Sequence, residues 1–84
     1  MERYLEKKIR KYVIATLGIP TLYLKKIPSE KEYIFSEDIE YATKAMSKNV
    51  AEQIKDYYYA DTKSDIELVV VPVEITYEII DETN

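Results

Sequence analysis

The chain has 84 residues, enough for one domain (1–84) and near the lower limit at which a core holds itself up without staples. It contains no cysteine and no histidine, which excludes disulfides, thiolate chemistry and the usual zinc, copper and haem ligands, while 46% hydrophobic and 33% charged content belongs to a folded domain. The net charge of −4 conceals a gradient: residues 1–28 carry seven basic side chains against two acidic, whereas residues 56–84 carry eight acidic against one basic.

The first segment supports two readings. Leu5, Ile9, Val13 and Leu17 recur every four residues, and Gly18 before Ile19-Pro20 is a helix stop. Against a helix, Tyr12-Val13-Ile14-Ala15-Thr16 is rich in β-formers, and Thr21 to Ile27 continues in the same vein after a Gly-Pro break. The favoured reading is a helical turn at residues 2–8 followed by a hairpin, 10–17 with 21–27; the all-helical version stays open. Pro28-Ser29-Glu30-Lys31 reads as a polar turn, and Glu32-Tyr33-Ile34-Phe35 as a brief extended piece.

Residues 36–59 predict one amphipathic helix. Ile39, Ala42, Met46, Val50, Ile54 and Tyr57 are spaced by threes and fours and form one stripe, with Ala45 and Ala51 beside it. Ser36 reads as its N-cap, with Glu37 and Asp38 in the first turn, where exposed N–H groups favour negative charge. Residues 60–65 then read as a polar loop.

Residues 65–81 predict a long strand. Ile66, Leu68 and Val70 share one parity; Val73, Ile75, Tyr77 and Ile79 share the other, with Pro72 between. A strand switches its buried face only through an extra residue, and proline cannot donate to a ladder, so a bulge or break is expected at Val71-Pro72. That switch would keep Glu67, Glu74, Thr76 and Glu78 outward. The fold class is therefore α+β, with an antiparallel sheet of three or four strands packed on the 36–59 helix.

Catalysis finds no support in the residues. Without imidazole or thiol, Ser29, Ser36, Ser47 and Ser64 sit in turn, cap or helix-surface contexts, and no EF-hand spacing or cofactor motif is present. No catalytic residue, metal site or cofactor is expected. Nor does any apolar run reach membrane-spanning length, and the N-terminal residues lack the apolar core of a signal peptide, so the expected setting is the cytoplasm.

Three surfaces remain as candidates for binding. The acidic one is Glu67, Glu74, Glu78, Asp81 and Glu82: on a strand, Glu74 and Glu78 would stand about 13 Å apart with Thr76 midway, a spacing near that of alternate phosphates along a nucleic-acid strand. Such a row could enter a basic channel built for DNA or RNA; equally, it could be a solvated edge that blocks unwanted strand pairing. Arg3, Lys7, Lys8, Arg10 and Lys11, interleaved with tyrosines, are the alternative, a nucleic-acid contact surface, opposed by the acidic charge of the whole. Tyr57, Tyr58 and Tyr59 must point in different directions at the helix end, so at least one should be exposed as contact area for a partner or a second copy. Folding could also set the basic and acidic ends side by side, where they would offset each other.

Between Lys11 and Ile54 the chain resembles small accessory proteins of phages that infect Gram-positive bacteria. The matching residues are Tyr33, Ile34, Phe35, Ser36, Asp38, Ala42, Thr43, Lys44 and Ala51. Some small acidic phage proteins of this kind are anti-CRISPR or other anti-defence inhibitors. The resemblance thus implies a stoichiometric inhibitor acting in the host cytoplasm, with a host protein such as a CRISPR nuclease as partner. A homo-oligomeric interaction module is the plainer alternative.

Overall fold

The β-formers decide the first segment. β1 runs over Glu2–Thr16 as one strand, and β4, Leu68–Glu82, is its antiparallel partner of equal length. The computed structural model describes residues 2–27 and 32–82, and the polar turn expected at 28–31 lies outside them. The helical turn expected at 2–8, and the all-helical version with it, are overturned. A helix there would have left the last half of β1's fifteen-residue partner without hydrogen bonds, and matched pairing outweighs a weak four-residue period.

β2 (Tyr23–Ile27) and β3 (Glu32–Ser36) complete an antiparallel sheet in the order β3-β2-β1-β4. The expected hairpin between residues 10–17 and 21–27 is present only at its closed end, because further along Thr43 and Ala45 bond to Leu24 and Tyr12 in its place. Ala15 pairs with Tyr23, the Thr16 N–H donates to the Leu22 carbonyl, and a Ser-free turn at residues 17–20 with a cis Ile19–Pro20 bond joins the strands.

The β1–β4 register is continuous from Glu2↔Glu82 to Thr16↔Leu68, so the bulge expected at Val71-Pro72 does not occur. Backbone direction supplies the reason. Tyr12 donates its N–H to the Ala45 carbonyl at 3.0 Å and accepts from the Ala45 N–H at 2.8 Å, so its polar groups face away from β4. Hydrogen bonding alternates along an antiparallel ladder, and Pro72 is the residue opposite Tyr12. Its missing N–H would have pointed off the outer edge of β4, where nothing is lost.

Because the register never slips, parity is kept throughout. Ile14, Leu68, Tyr12 and Val70 join Leu24, Ala45, Ala51 and Tyr58 in the core under the helix. On the opposite face Val13 and Ala15 are buried. On that face Lys25 reaches the ring of Tyr41, while on the helix face Lys26 lies over Tyr57 at 5.0 Å. The two cations thus report which element lies over which side of the sheet.

The helix itself, α1, spans Lys48–Thr62 and begins twelve residues later than expected. Ser47 is its N-cap, accepting from the Val50 N–H at 3.2 Å, and Lys63 closes it in the left-handed region at φ 57°. Ser36 instead ends β3 and accepts from the Asp38 N–H, and Asp38 caps a single 3₁₀ turn at Ile39–Tyr41. Residues 42–46 cross between strands. Thr43 takes the Leu24 carbonyl and caps the Lys26 N–H, and Ala45 bridges Tyr12. Three residues with cap chemistry were available; sheet hydrogen bonds that a helix could not have satisfied selected the last.

Starting the helix later also changes its buried stripe. Ala51, Ile54 and Tyr58 face the core, whereas Met46, Val50 and Tyr57, all expected inside, are exposed. Tyr58 is the centre of an aromatic cluster, with Tyr33, Phe35 and Tyr59 edge-on to it at 5.2 to 5.6 Å.

The helix and its flanking strands cover only one end of the β1–β4 ladder. Beyond Tyr12 and Val70 the two strands continue as a ribbon, here called the arm, made of residues 2–11 and 73–82. The molecule is accordingly long, 57 × 28 × 20 Å, with a radius of gyration of 16.2 Å. A compact chain of this length would measure about 12 Å.

Candidate protein-docking surface

Parity assigns each charged residue of the arm. Arg10 stands across from Glu74, Lys8 across from Thr76, and Glu6 across from Glu78, all on the face that continues the helix side. Glu74 and Glu78 therefore do share a face with Thr76 between them, reached by an unbroken strand rather than by a switch. The row is not purely acidic. Near the body it is balanced by Arg10 and Lys8, and toward the tip Glu6 and Glu78 oppose each other, an arrangement that costs stability on its own. Lys8 turns back along its strand to Glu6 at 3.6 Å.

The basic and acidic ends of the sequence are thus neighbours. This is the outcome in which they offset each other, at the level of facing strands. The five cations expected to act together are divided by β1's alternation: Lys8 and Arg10 fall on one face, Lys7 and Lys11 on the other, opposite Tyr77 and Val73. Arg3 pairs with Asp81 and Glu2 with Glu82 in the backbone register; the side chains of residues 2–5 and 79–82 lie outside the described part. Glu67 precedes β4 at the body end and does not join Glu74 and Glu78.

The three consecutive tyrosines also part. Tyr58 is 4% exposed and structural. Tyr59 is held by its hydroxyl, which donates to the Ile66 carbonyl at 2.7 Å and accepts from the Leu68 N–H at 3.0 Å, tying the helix end to the start of β4. Tyr57 alone is exposed. Nearby, the Tyr33 hydroxyl donates to Asp61 at 2.6 Å; burial, that hydrogen bond and the adjacent carboxylate push its pKa up to about 12.

The feature that sequence reasoning missed is a cleft of about 500 Å³ between the 39–44 crossing and β4. Ile39, Glu40 and Lys44 form one wall, and Val73, Glu74, Ile75, Thr76 and Tyr77 the other. Successive strand residues point to opposite faces, so a cavity lying over one face would be lined by alternate residues. Val73, Ile75 and Tyr77 share the face of Val13 and Ala15, and Glu74 and Thr76 complete the lining between them. Lys44 is engaged there, its ammonium donating to the Glu40 and Ala42 carbonyls at 2.8 and 3.2 Å. The signal for this cleft was present in the alternation of Val73, Ile75 and Tyr77, but the expected switch of buried face at Pro72 assigned those residues to the core.

Among the described residues no group of three or more acidic side chains is placed to hold a metal ion, and no helix is long and apolar enough to cross a membrane. Comparison with protein families, with curated proteins and with solved structures returned no match to this chain.

Proposed function

We propose that the protein is a non-catalytic inhibitor that binds another protein through its arm, setting the Glu74–Thr76–Glu78 row against a basic surface of the kind that holds nucleic acid. The observation that carries this reading is the arm itself. A two-stranded ribbon with little covering it is marginal in water, and this one places Glu74 and Glu78 in line along an edge strand. Opposite charge would speed the encounter and make it salt-sensitive. A host nucleic-acid enzyme, such as a CRISPR nuclease in the cytoplasm of a phage-infected cell, is the class of partner that this chemistry suits.

Arg10, opposite Glu74, and Lys8, which reaches Glu6, limit how far the row can imitate phosphates. The test is binding to a purified nuclease with a basic channel, at low and at high salt. Wild-type protein should bind at low salt and release at high salt, and the pair Glu74→Lys/Glu78→Lys should abolish binding. Unchanged binding by that pair removes the acidic row from the mechanism.

A further inference from the structure

We infer that the outer edge of β4 at Val73–Tyr77 accepts a basic, extended segment of a partner protein as a fifth strand of the sheet. The inference rests on the reading of a protein-binding arm and says how the partner would enter. β4 is an edge strand, and no strand pairs with its outer side among the described residues. The direction of the Tyr12 bonds fixes the even-numbered residues of β4 as those whose backbone groups face outward. Glu74 and Thr76 therefore each present an N–H and a C=O outward from the sheet, beside the cleft that Val73, Ile75 and Tyr77 line. Strand addition uses such groups for affinity and side-chain pockets for selectivity.

The chemistry of the walls selects the occupant. Val73, Ile75, Tyr77 and Ile39 are apolar and would take every second side chain of an incoming strand. Glu40 and Glu74 supply carboxylates, while the Lys44 ammonium is already taken by two backbone carbonyls. Residues 68–82 contain Glu74, Glu78, Asp81 and Glu82 and neither lysine nor arginine. On the inner side of β4, Arg10 and Arg3 stand opposite Glu74 and Asp81, while Glu6 and Glu2 stand opposite Glu78 and Glu82, so the stretch at Glu74 is the one already matched to a cation. A second copy joined β4 to β4 would bring carboxylates from both chains to the seam and no cation from either strand. A basic strand from another protein meets no such repulsion.

Pro72 shows how to test this without disturbing the fold, because it marks an outward position where proline is accepted. Thr76→Pro removes one outward N–H at the cleft and leaves the β1 bonds intact. The probe is a short peptide of alternating lysine and valine, with a glutamate-valine counterpart as control, titrated into the full chain at low salt and followed by backbone NMR. The lysine peptide should give saturable shifts at Val73–Tyr77, Ile39 and Lys44 and slow the exchange of the Glu74 and Thr76 amides. Thr76→Pro should weaken it by about tenfold, as expected for losing hydrogen bonds at the seam; the glutamate peptide should not bind.

No shift at these residues, equal binding of both peptides, or undiminished binding by a folded Thr76→Pro overturns the inference. So does a solution mass of twice the chain with these amides already protected, which would put a second copy on the edge. Where Thr76→Pro fails to fold, Glu74→Lys decides, and binding that survives it counts against the cleft. Should nuclease binding depend on Glu74 and Glu78 while the lysine peptide is ignored, strand addition falls and the proposed function stays. The reverse pattern removes the nuclease and keeps the edge.

Discussion

The body and the arm are made of the same two strands in the same register, yet they differ in what lies against them. In the body, Val13 and Ile14 are 0% and 2% exposed, with the helix over one face and the 39–44 crossing on the other. In the arm Tyr77 is 52% exposed, and Arg10, Lys8 and Glu74 meet solvent. Backbone pairing is equally regular in both. The lesson is that a ladder of hydrogen bonds positions residues, while burial decides how firmly they are held. The half left uncovered is the half free to gain a partner.

The comparison can be broken most directly by truncation in each region. Tyr58→Ala empties the centre of the aromatic cluster and should cost about 3–5 kcal/mol, measured by denaturant unfolding. Ile75→Ala in the arm should cost about 1 kcal/mol or less. Equal losses would mean that the arm is as much a part of the core as the body. Hydrogen exchange sharpens the same point within one ladder. Val13 and Val71 are inward-bonded in the body, and Ile9 and Tyr77 are inward-bonded in the arm. The arm pair should open at free energies lower by roughly 2 kcal/mol or more. Matching protection along the whole ladder would contradict the picture.

Smaller effects follow from single caps and charges. Ser47→Ala removes the acceptor of the Val50 N–H and should lower stability by about 1 kcal/mol, with Ser36→Ala costing less because Ser36 caps no helix. The Tyr33 phenol keeps its proton more tightly in the folded protein than in the unfolded chain. Its contribution to stability is therefore full below its usual value of 10 and is lost as pH rises through about 12. Asp61→Asn should move the ultraviolet titration of Tyr33 downward, though not fully to the ordinary value, since burial is the larger cause. The smallest change is expected for Pro72→Thr, within about 0.5 kcal/mol, because the regained N–H points to solvent. Its consequence should be a greater tendency to associate through the completed edge, read by light scattering.

What the residues disclosed was local and periodic. Alternation in Leu68–Val70 and Val73–Tyr77, the hairpin around Gly18, the extended Glu32–Phe35 and the existence of one amphipathic helix were all legible, and so was the α+β class. So was the shared face of Glu74 and Glu78, because parity in a strand needs no partner to define it. No bulge is needed because the two apolar parities of β4 lie on opposite faces, Leu68 and Val70 under the helix and Val73, Ile75 and Tyr77 on the other side of the ribbon.

By itself, then, the sequence determined that residues around 10–17, 23–27, 32–35 and 68–81 are extended, that one amphipathic helix follows residue 36, and which residues share a side of the last strand, since these follow from side-chain spacing along one chain. Only the tertiary structure decided where the helix begins, that Pro72 faces an open edge, and that the basic N-terminal strand lies beside the acidic C-terminal one. Those outcomes depend on which backbone groups find partners across the sheet. A residue's own neighbours in sequence carry no record of that, because cross-strand hydrogen bonds join positions as far apart as Glu2 and Glu82.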